Sequence, residues 1–242
     1  MEIEPGAAER EHGRRVAGMF GRIAGWYDFL NHGLSLGQDI YWRHRLARLA
    51  RPAPGSTVLD LAAGTLDVSL ALLKRYPDIR VAAMDFARPM LEKGRTKVPP
   101  ELASRLNVSL ADGRELPLPG GSVSAVTIAF GIRNILPRAA AFAEIFRVLK
   151  PGGRLCVLEF GSGRTRIWKG LYNLYLNRLL PLAGRLVSGD AGAYRYLAET
   201  IAAFPAAEEL AQEMRQAGFG RVLWLPLLSG IVYIHVAEKA VG

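Results

Sequence analysis

The 242-residue chain is poor in cysteine, lacks a long apolar run and is short of negative charge, and each deficit excludes something. Its single cysteine, Cys156, stands inside RLCVLEF, so no disulfide can form within the chain, and a small buried apolar role is expected. The opening MEIEPGAAEREHGRR is polar and has no apolar core of signal-peptide length. No stretch of about 18 uncharged apolar residues occurs, so no spanning helix is expected. Together these predict a cytoplasmic protein, able at most to touch a membrane from the side. Lys and Arg outnumber Asp and Glu by 31 to 22, a net charge of +9, which favours a polyanionic partner: nucleic acid or an anionic membrane face. Half the residues are apolar, enough for one full α/β core.

What is present is an alternation of strand and helix patterns. Apolar runs predict strands at 57–61, 79–84, 106–111, 123–130 and 153–160, with helices at 67–76, 88–97, 138–149 and 206–217 between and after them. VLWLPLL (222–228) and IVYIHVA (231–237) flank Ser229-Gly230 as a hairpin. The expectation is a doubly wound, mostly parallel seven-stranded α/β sheet with right-handed crossovers, closed by a carboxy-terminal antiparallel hairpin. One domain over 1–242 is expected, with a helical cap at 14–50, a ligand-binding core at 57–161, a helical lid insertion at 162–200, and the last helix and hairpin at 201–242.

The core carries the chemistry. In VLDLAAGTLDVSLALL (58–73) a strand ends near Asp60, a small-residue turn follows, and a helix begins at once, the geometry that brings backbone close to a nucleotide-like ligand. The second strand ends at Asp85-Phe86 and the third at Asp112-Gly113, so acids lie along the carboxyl edge of the sheet. Asp85 can accept both ribose hydroxyls, and Asp112 an exocyclic adenine amine. Solvated acids or helix caps would give the same pattern at any one position, though less readily at three. The turn A-A-G-T-L-D lacks the glycine triplet that cradles a pyrophosphate, and Asp67 would repel phosphate while suiting a cation. S-adenosylmethionine, with a sulfonium, an ammonium and no phosphate, is the cofactor these charges favour, and no metal is expected.

Further stretches carry a resemblance: WYDFLNHGLSLGQDIYWR (26–43), FGIRN (130–134), RVLKPGG (147–153), Asp190 through YRYLAET (194–200), and the hairpin. With them, the chain resembles the C-methyltransferases of ubiquinone and menaquinone biosynthesis from about Val16 to its end. The resemblance implies that Thr65, Asp85, Asp112 and Gly113 contact S-adenosylmethionine and that Arg133 lies where the methyl is transferred; Gly64, Asp67 and Phe86 complete the expected cofactor set, and Asn134 joins Arg133 as the expected catalytic pair. The implied acceptor is a carbon of a prenylated demethylquinol ring. Where the family turn reads G-G-T-G-D, this chain has Ala63 and Leu66 in place of two glycines, and Ala129 replaces a serine before FGIRN. Leu66 would obstruct the site if that position demands φ > 0 or close approach to the ligand.

Carbon methylation requires phenolate character in the ring, alignment of the reactants and exclusion of water. Arg133 suits stabilisation of the phenolate or organisation of waters, not direct proton abstraction, or it pairs with an acid structurally. Asn134 either orients the ring hydroxyl or holds its loop. His32 is a candidate base or a surface residue, and His235 is expected to be structural. Tyr27, Asp28, Asp190, Tyr194 and Arg195 either line the pocket or pack. The segment 164–185, with aromatics at helical spacing among five cations, either lies on an anionic leaflet or packs on its own domain. Three rival readings remain at this point, one of them a small-molecule methyltransferase outside quinone metabolism. A nucleic-acid methyltransferase is disfavoured by FGIRN where an N-P-P-Y-like loop would stand and by Cys156 lying mid-strand. A non-catalytic cofactor or quinone binder draws support from Leu66 and Ala129.

Overall fold

In a computed structural model, residues 32, 33, 35–161 and 191–241 are described, with single positions at 16, 18, 19, 21 and 25. The readings for Tyr27, Asp28, Asp190 and the segment 164–185 fall outside the described residues.

Helix α1 (Gln38–Ala50) follows Gly37, whose φ of 75° makes the turn into it. The chain then enters β1 (Thr57–Leu61), α2 (Asp67–Arg75), β2 (Arg80–Asp85), α3 (Arg88–Arg95), the short α4 (Pro100–Ala103), β3 (Leu106–Leu110) and β4 (Val123–Ala129). The 3-10 turn Ile132–Asn134 leads to α5 (Arg138–Val148) and β5 (Leu149–Phe160). After residue 190 come α6 (Ala191–Ala202), α7 (Ala207–Gln216), β6 (Arg221–Leu227) and β7 (Val232–Glu238). Proline opens α3 and α4, where its missing N–H is not needed.

The seven strands form one sheet in the order β3-β2-β1-β4-β5-β7-β6. Its first five members are parallel, and β7 runs antiparallel to both β5 and β6. The direction of winding reverses between β1 and β4, which opens a crevice at their carboxyl ends, the place where such sheets bind ligands. The expected strands and hairpin are recovered to within a residue or two, except that β5 begins at Leu149, paired to Val123, so LKPGG belongs to the strand rather than to a break before it.

Alternation along the strands sorts the core into two layers. Leu59, Leu61, Val126, Ile128, Leu155 and Val157 face α5 and α7, meeting Phe142, Ile145, Leu210 and Met214. Val58, Ala125, Cys156 and Leu158 face α1 and α2, meeting Leu46, Ala47, Leu72 and Leu73. Among the described residues no helix is long and apolar enough to cross a membrane.

Candidate functional site

The turn after β1 is wound through three left-handed residues, Ala62 (φ 54°), Gly64 (φ 52°) and Leu66 (φ 68°). Leu66 therefore does occupy a position that demands φ > 0. It tolerates the strain because its side chain is 0% exposed, anchored in the layer beneath α2 and against Gly94. An added Cβ on Gly94 would lie 2.5 Å from Leu66 Cγ, so the small residue on α3 makes room for the large one on the turn. The side chain points into the core and leaves the crevice side of the turn to backbone.

Asp85, half-buried at the end of β2, is tied to that turn. Its Oδ2 accepts the Gly64 N–H at 2.8 Å and its Oδ1 the Ala87 N–H at 2.7 Å. Burial raises its pKa, and the N–H groups of Ala87, Gly64 and Phe86 pull the other way. A carboxylate has about four acceptor directions, so these contacts leave it capacity for a hydroxyl donor. Phe86, next in the chain, is 42% exposed. An added Cβ on Gly64 would meet only Met90 Cε, at 3.6 Å, so the turn presents little bulk to a ligand.

The other rim acids are engaged by the protein's own cations. Asp67 opens α2 with Lys97 Nζ 2.5 Å from one carboxylate oxygen and Arg43 Nη1 4.0 Å from the other. Asp112 accepts Arg114 Nε at 2.9 Å, Nη2 at 2.6 Å and the Arg114 N–H at 2.9 Å. Burial works to raise the Asp112 pKa, and these contacts outweigh it and hold it below the usual carboxylate range. Gly113 lies where a Cβ would sit 2.9 Å from Ile135 Cδ1 and 3.3 Å from Leu61 Cδ2, a packing demand in its own right. Thr65 is buried at 2% exposure.

Asp60 does not face the rim. It shares the α2 side of the sheet with Val58 and accepts Ser69 Oγ at 2.6 Å and Thr127 Oγ1 at 2.8 Å. Burial pushes its pKa up to about 6. Its work is to fasten α2 and β4 beneath the turn.

The loop after β4 abuts this region. Gly131 has no room for a side chain, since its Cβ would fall 2.4 Å from Ala62 Cβ. FGIRN is thereby pressed onto the turn, and its next members reach the other half of the site. Arg133, buried at 7% exposure, donates through Nη1 to Phe130 O at 2.7 Å and to Glu159 Oε1 at 2.6 Å. Glu159, at the end of β5, is 1% exposed, and burial raises its pKa against the pull of Arg133. Arg133 also lies over the Phe160 ring, 5.7 Å from its centroid. Asn134 Oδ1 accepts the Tyr196 hydroxyl of α6 at 3.1 Å, and burial raises the Tyr196 pKa. Arg133 thus has the acid partner that its structural alternative in the sequence called for, and Asn134 is tied to α6. Glu159 and Tyr196 were missed there, although an ionisable residue inside the apolar run LCVLEF is itself a signal.

A second polar chain joins the amino-terminal segment to the rim. His32 Nδ1 lies 2.8 Å from Asp39 Oδ2, Ser35 Oγ donates to Asp39 Oδ1 at 2.7 Å, and Arg43 pairs with the same carboxylate and overlies Phe130 at 5.8 Å. Trp42, Phe130 and Phe160 pack as tilted rings near these arginines, with successive centroids 6.2 and 4.7 Å apart. Arg195 is exposed on α6. His235 lies apart in the hairpin, its Nε2 donating to Ala207 O at 2.8 Å, with its pKa lowered by burial. Cys156 is buried and its thiol is pushed up to about 12, which removes it as a nucleophile.

This strand order, with its antiparallel closing hairpin and acid-tipped crevice, is that of the class I S-adenosylmethionine-dependent methyltransferases. A solved methyltransferase from Thermotoga maritima, described as a possible histamine N-methyltransferase, matches 92% of this chain and 98% of its own at a TM-score of 0.65 and 17% identity. One from Aquifex aeolicus matches 82% and 89% at 0.60 and 18%. Such distant likeness bears on the fold alone. The sequence goes further: the chain belongs to the ubiE/COQ5 methyltransferase family, whose model matches residues 8–239. It is 45% identical over 223 residues to the demethylmenaquinone methyltransferase of Thermus thermophilus, covering 91% of this chain and all of that one. It is 40% identical to the ubiquinone/menaquinone biosynthesis C-methyltransferase UbiE of Geobacter sulfurreducens, over 95% of this chain and 90% of that one.

Proposed function

We propose that this protein methylates a ring carbon of a demethylated, prenylated quinol, demethylmenaquinol or a ubiquinol precursor, using S-adenosylmethionine. The observation that carries the reading is the buried Arg133–Glu159 pair held against the acid-rimmed turn by the Gly131–Ala62 contact. The residues at the crevice fit the donor. The turn offers backbone at Gly64 and Thr65 where a side chain would intrude. Asp85 holds a fixed carboxylate for the ribose hydroxyls, with Phe86 exposed beside it. Asp112 and Gly113 serve the adenine, and Asp67 supplies negative charge near the amino acid end. When bound, S-adenosylmethionine supplies an electrophilic methyl group on a sulfonium.

The chain's own residues do the rest. Arg133 is a fixed cation in a dry site, where it stabilises negative charge developing on a ring oxygen far more than it would in water. Asn134 and Tyr196, already bonded to one another, offer an amide and a hydroxyl to orient the ring. Phe130, Phe160 and Trp42 supply the apolar wall that an aromatic acceptor needs and keep water out.

A prenylated acceptor is delivered from a bilayer, and we extend the reading to contact with an anionic leaflet. Leu36, Ile40 and Tyr41 are 89, 48 and 54% exposed around the start of α1, with Arg48 exposed further along it. The basic aromatic segment 164–185 adds to this expectation. Binding to anionic vesicles at low salt, reversed by added salt, is the expected result; failure to co-sediment contradicts it.

The decisive experiment supplies methyl-labelled S-adenosylmethionine with reduced demethylmenaquinone and, separately, a demethylated ubiquinol precursor. Label on a ring carbon of at least one supports the proposal. Label in neither rejects it.

A further inference from the structure

The Arg133–Glu159 pair is joined in an unusual way. Of the guanidinium only Nη1 bonds the carboxylate, on Oε1, which also accepts the Phe160 N–H at 3.0 Å, while the Arg133 backbone N–H adds its pull on the carboxylate. That leaves Arg133 Nε and Glu159 Oε2 buried with no hydrogen-bond partner among the described residues. A pair built for stability alone would close side-on, with two parallel contacts. Orphaned buried atoms of this kind are costly to leave unpaired and call for an explanation. One is a donor and the other an acceptor, on neighbouring side chains. A single hydroxyl group set between them would satisfy both, donating its hydrogen to Oε2 and accepting from Nε–H.

Resting on the quinol reading above, we propose that Glu159 Oε2 is the proton acceptor for the ring hydroxyl of the substrate, directly or across one water, with Arg133 Nε–H donating to the oxygen left behind. The O–H bond breaks toward Glu159, and the electron pair left on oxygen is shared into the ring. The ortho carbon then forms its bond to the methyl carbon as the carbon–sulfur bond breaks and its pair returns to sulfur. The same ring carbon then loses its hydrogen as a proton to solvent water, its electron pair restoring the aromatic phenolate, and the phenolate takes back the proton held on Glu159, so that one proton is released overall. Arginine cannot take the first proton, because it stays protonated. Glu159 can, and burial makes it a stronger base than an exposed carboxylate. The ionisable groups around it among the described residues are Arg133 itself, Tyr233 directly across on β7, and Tyr196, which faces Arg133 from α6.

The test is the pH dependence of kcat at saturating donor and quinol for wild type, Glu159→Gln and Glu159→Asp. Folding is checked by calorimetric S-adenosylmethionine binding. Wild type should show an acid limb of unit slope, with its midpoint above the ordinary carboxylate range. Glu159→Gln should lose about 100-fold or more at neutral pH. It should also lose the acid limb, and recover as pH rises and the ring hydroxyl ionises unaided. Glu159→Asp, which preserves the charge pairing, should be slower but keep the limb. The proposal is overturned if Glu159→Gln turns over at the wild-type rate, or if its loss is uniform across pH with no alkaline recovery, the signature of a residue that only holds Arg133. Should the glutamine variant fail to bind donor, an aspartate variant or wild type without the acid limb overturns it equally. A wild-type protein that methylates neither quinol rejects the function itself, whereas one that methylates while the variants behave as wild type rejects the proton acceptor alone.

Discussion

Asp85→Asn separates the bracing duty that the structure gives Asp85 from its proposed duty toward the ribose. In the folded protein its carboxylate accepts two backbone N–H groups, from Gly64 and Ala87. An asparagine has the same shape but one acceptor oxygen, so one of those N–H groups would face an NH2 group. Leaving a donor unsatisfied costs about 1–3 kcal/mol. Against this, burial already disfavours the ionised carboxylate, and a neutral amide removes that penalty. The two effects oppose, so the melting temperature should fall by no more than about 5 °C at the usual few degrees per kcal/mol. No such offset exists for the ligand. Charge-assisted bonds to ribose hydroxyls become neutral ones, a loss of about 1.5–3 kcal/mol, or about 10–100-fold in Kd. Calorimetric titration with S-adenosylmethionine, beside a thermal melt, reads both quantities. Affinity within threefold of wild type would refute the placement of the ribose, and a collapse of the fold would show that Asp85 is chiefly a brace.

Other perturbations probe the scaffold. Leu66→Gly relieves about 1–2 kcal/mol of left-handed strain but empties a fully buried leucine site worth about 2–5 kcal/mol, so the melting temperature should drop while donor affinity holds; a stabilised protein would contradict the packing account. Asp60 has its folded pKa raised from 3.8 to about 6, so its ionisation opposes folding: its contribution is most favourable below pH 3.8 and is lost as pH rises through about 6. Asp60→Asn should therefore remove a stability loss on the order of 3 kcal/mol between those limits, seen as a flatter difference between denaturation midpoints at pH 4 and pH 7; an unchanged difference would refute the assignment. Cys156 should resist alkylation by iodoacetamide at pH 8 in the native state and react on denaturation, and rapid native labelling would contradict its burial.

The sheet was legible in the sequence because short continuous apolar runs between punctuating glycines and prolines mark buried parallel strands strongly. Helix Pro100–Ala103 escaped because four residues carry no periodicity, and LKPGG read as a break although its backbone pairs with β4. Which strand-end acid faces the crevice was not legible. Asp60 and Asp85 look alike in the chain, and only the phase of the strand turns Asp60 inward to Ser69 and Thr127. Leu66 looked like an obstruction, since nothing local reveals that Gly94, 28 positions on, clears space for it. Arg133 stood out by resemblance to a family. Its partner Glu159 lies 26 positions away on another strand, a contact that only the fold creates.

A crystal structure with S-adenosylhomocysteine and a demethylated naphthoquinol analogue bound together tests the central claim most directly. The account predicts the ribose hydroxyls on Asp85, and the analogue's ring hydroxyl against Arg133 and Glu159 with its ortho carbon facing the sulfur. A ribose elsewhere, or an acceptor ring seated away from the FGIRN loop, would contradict it.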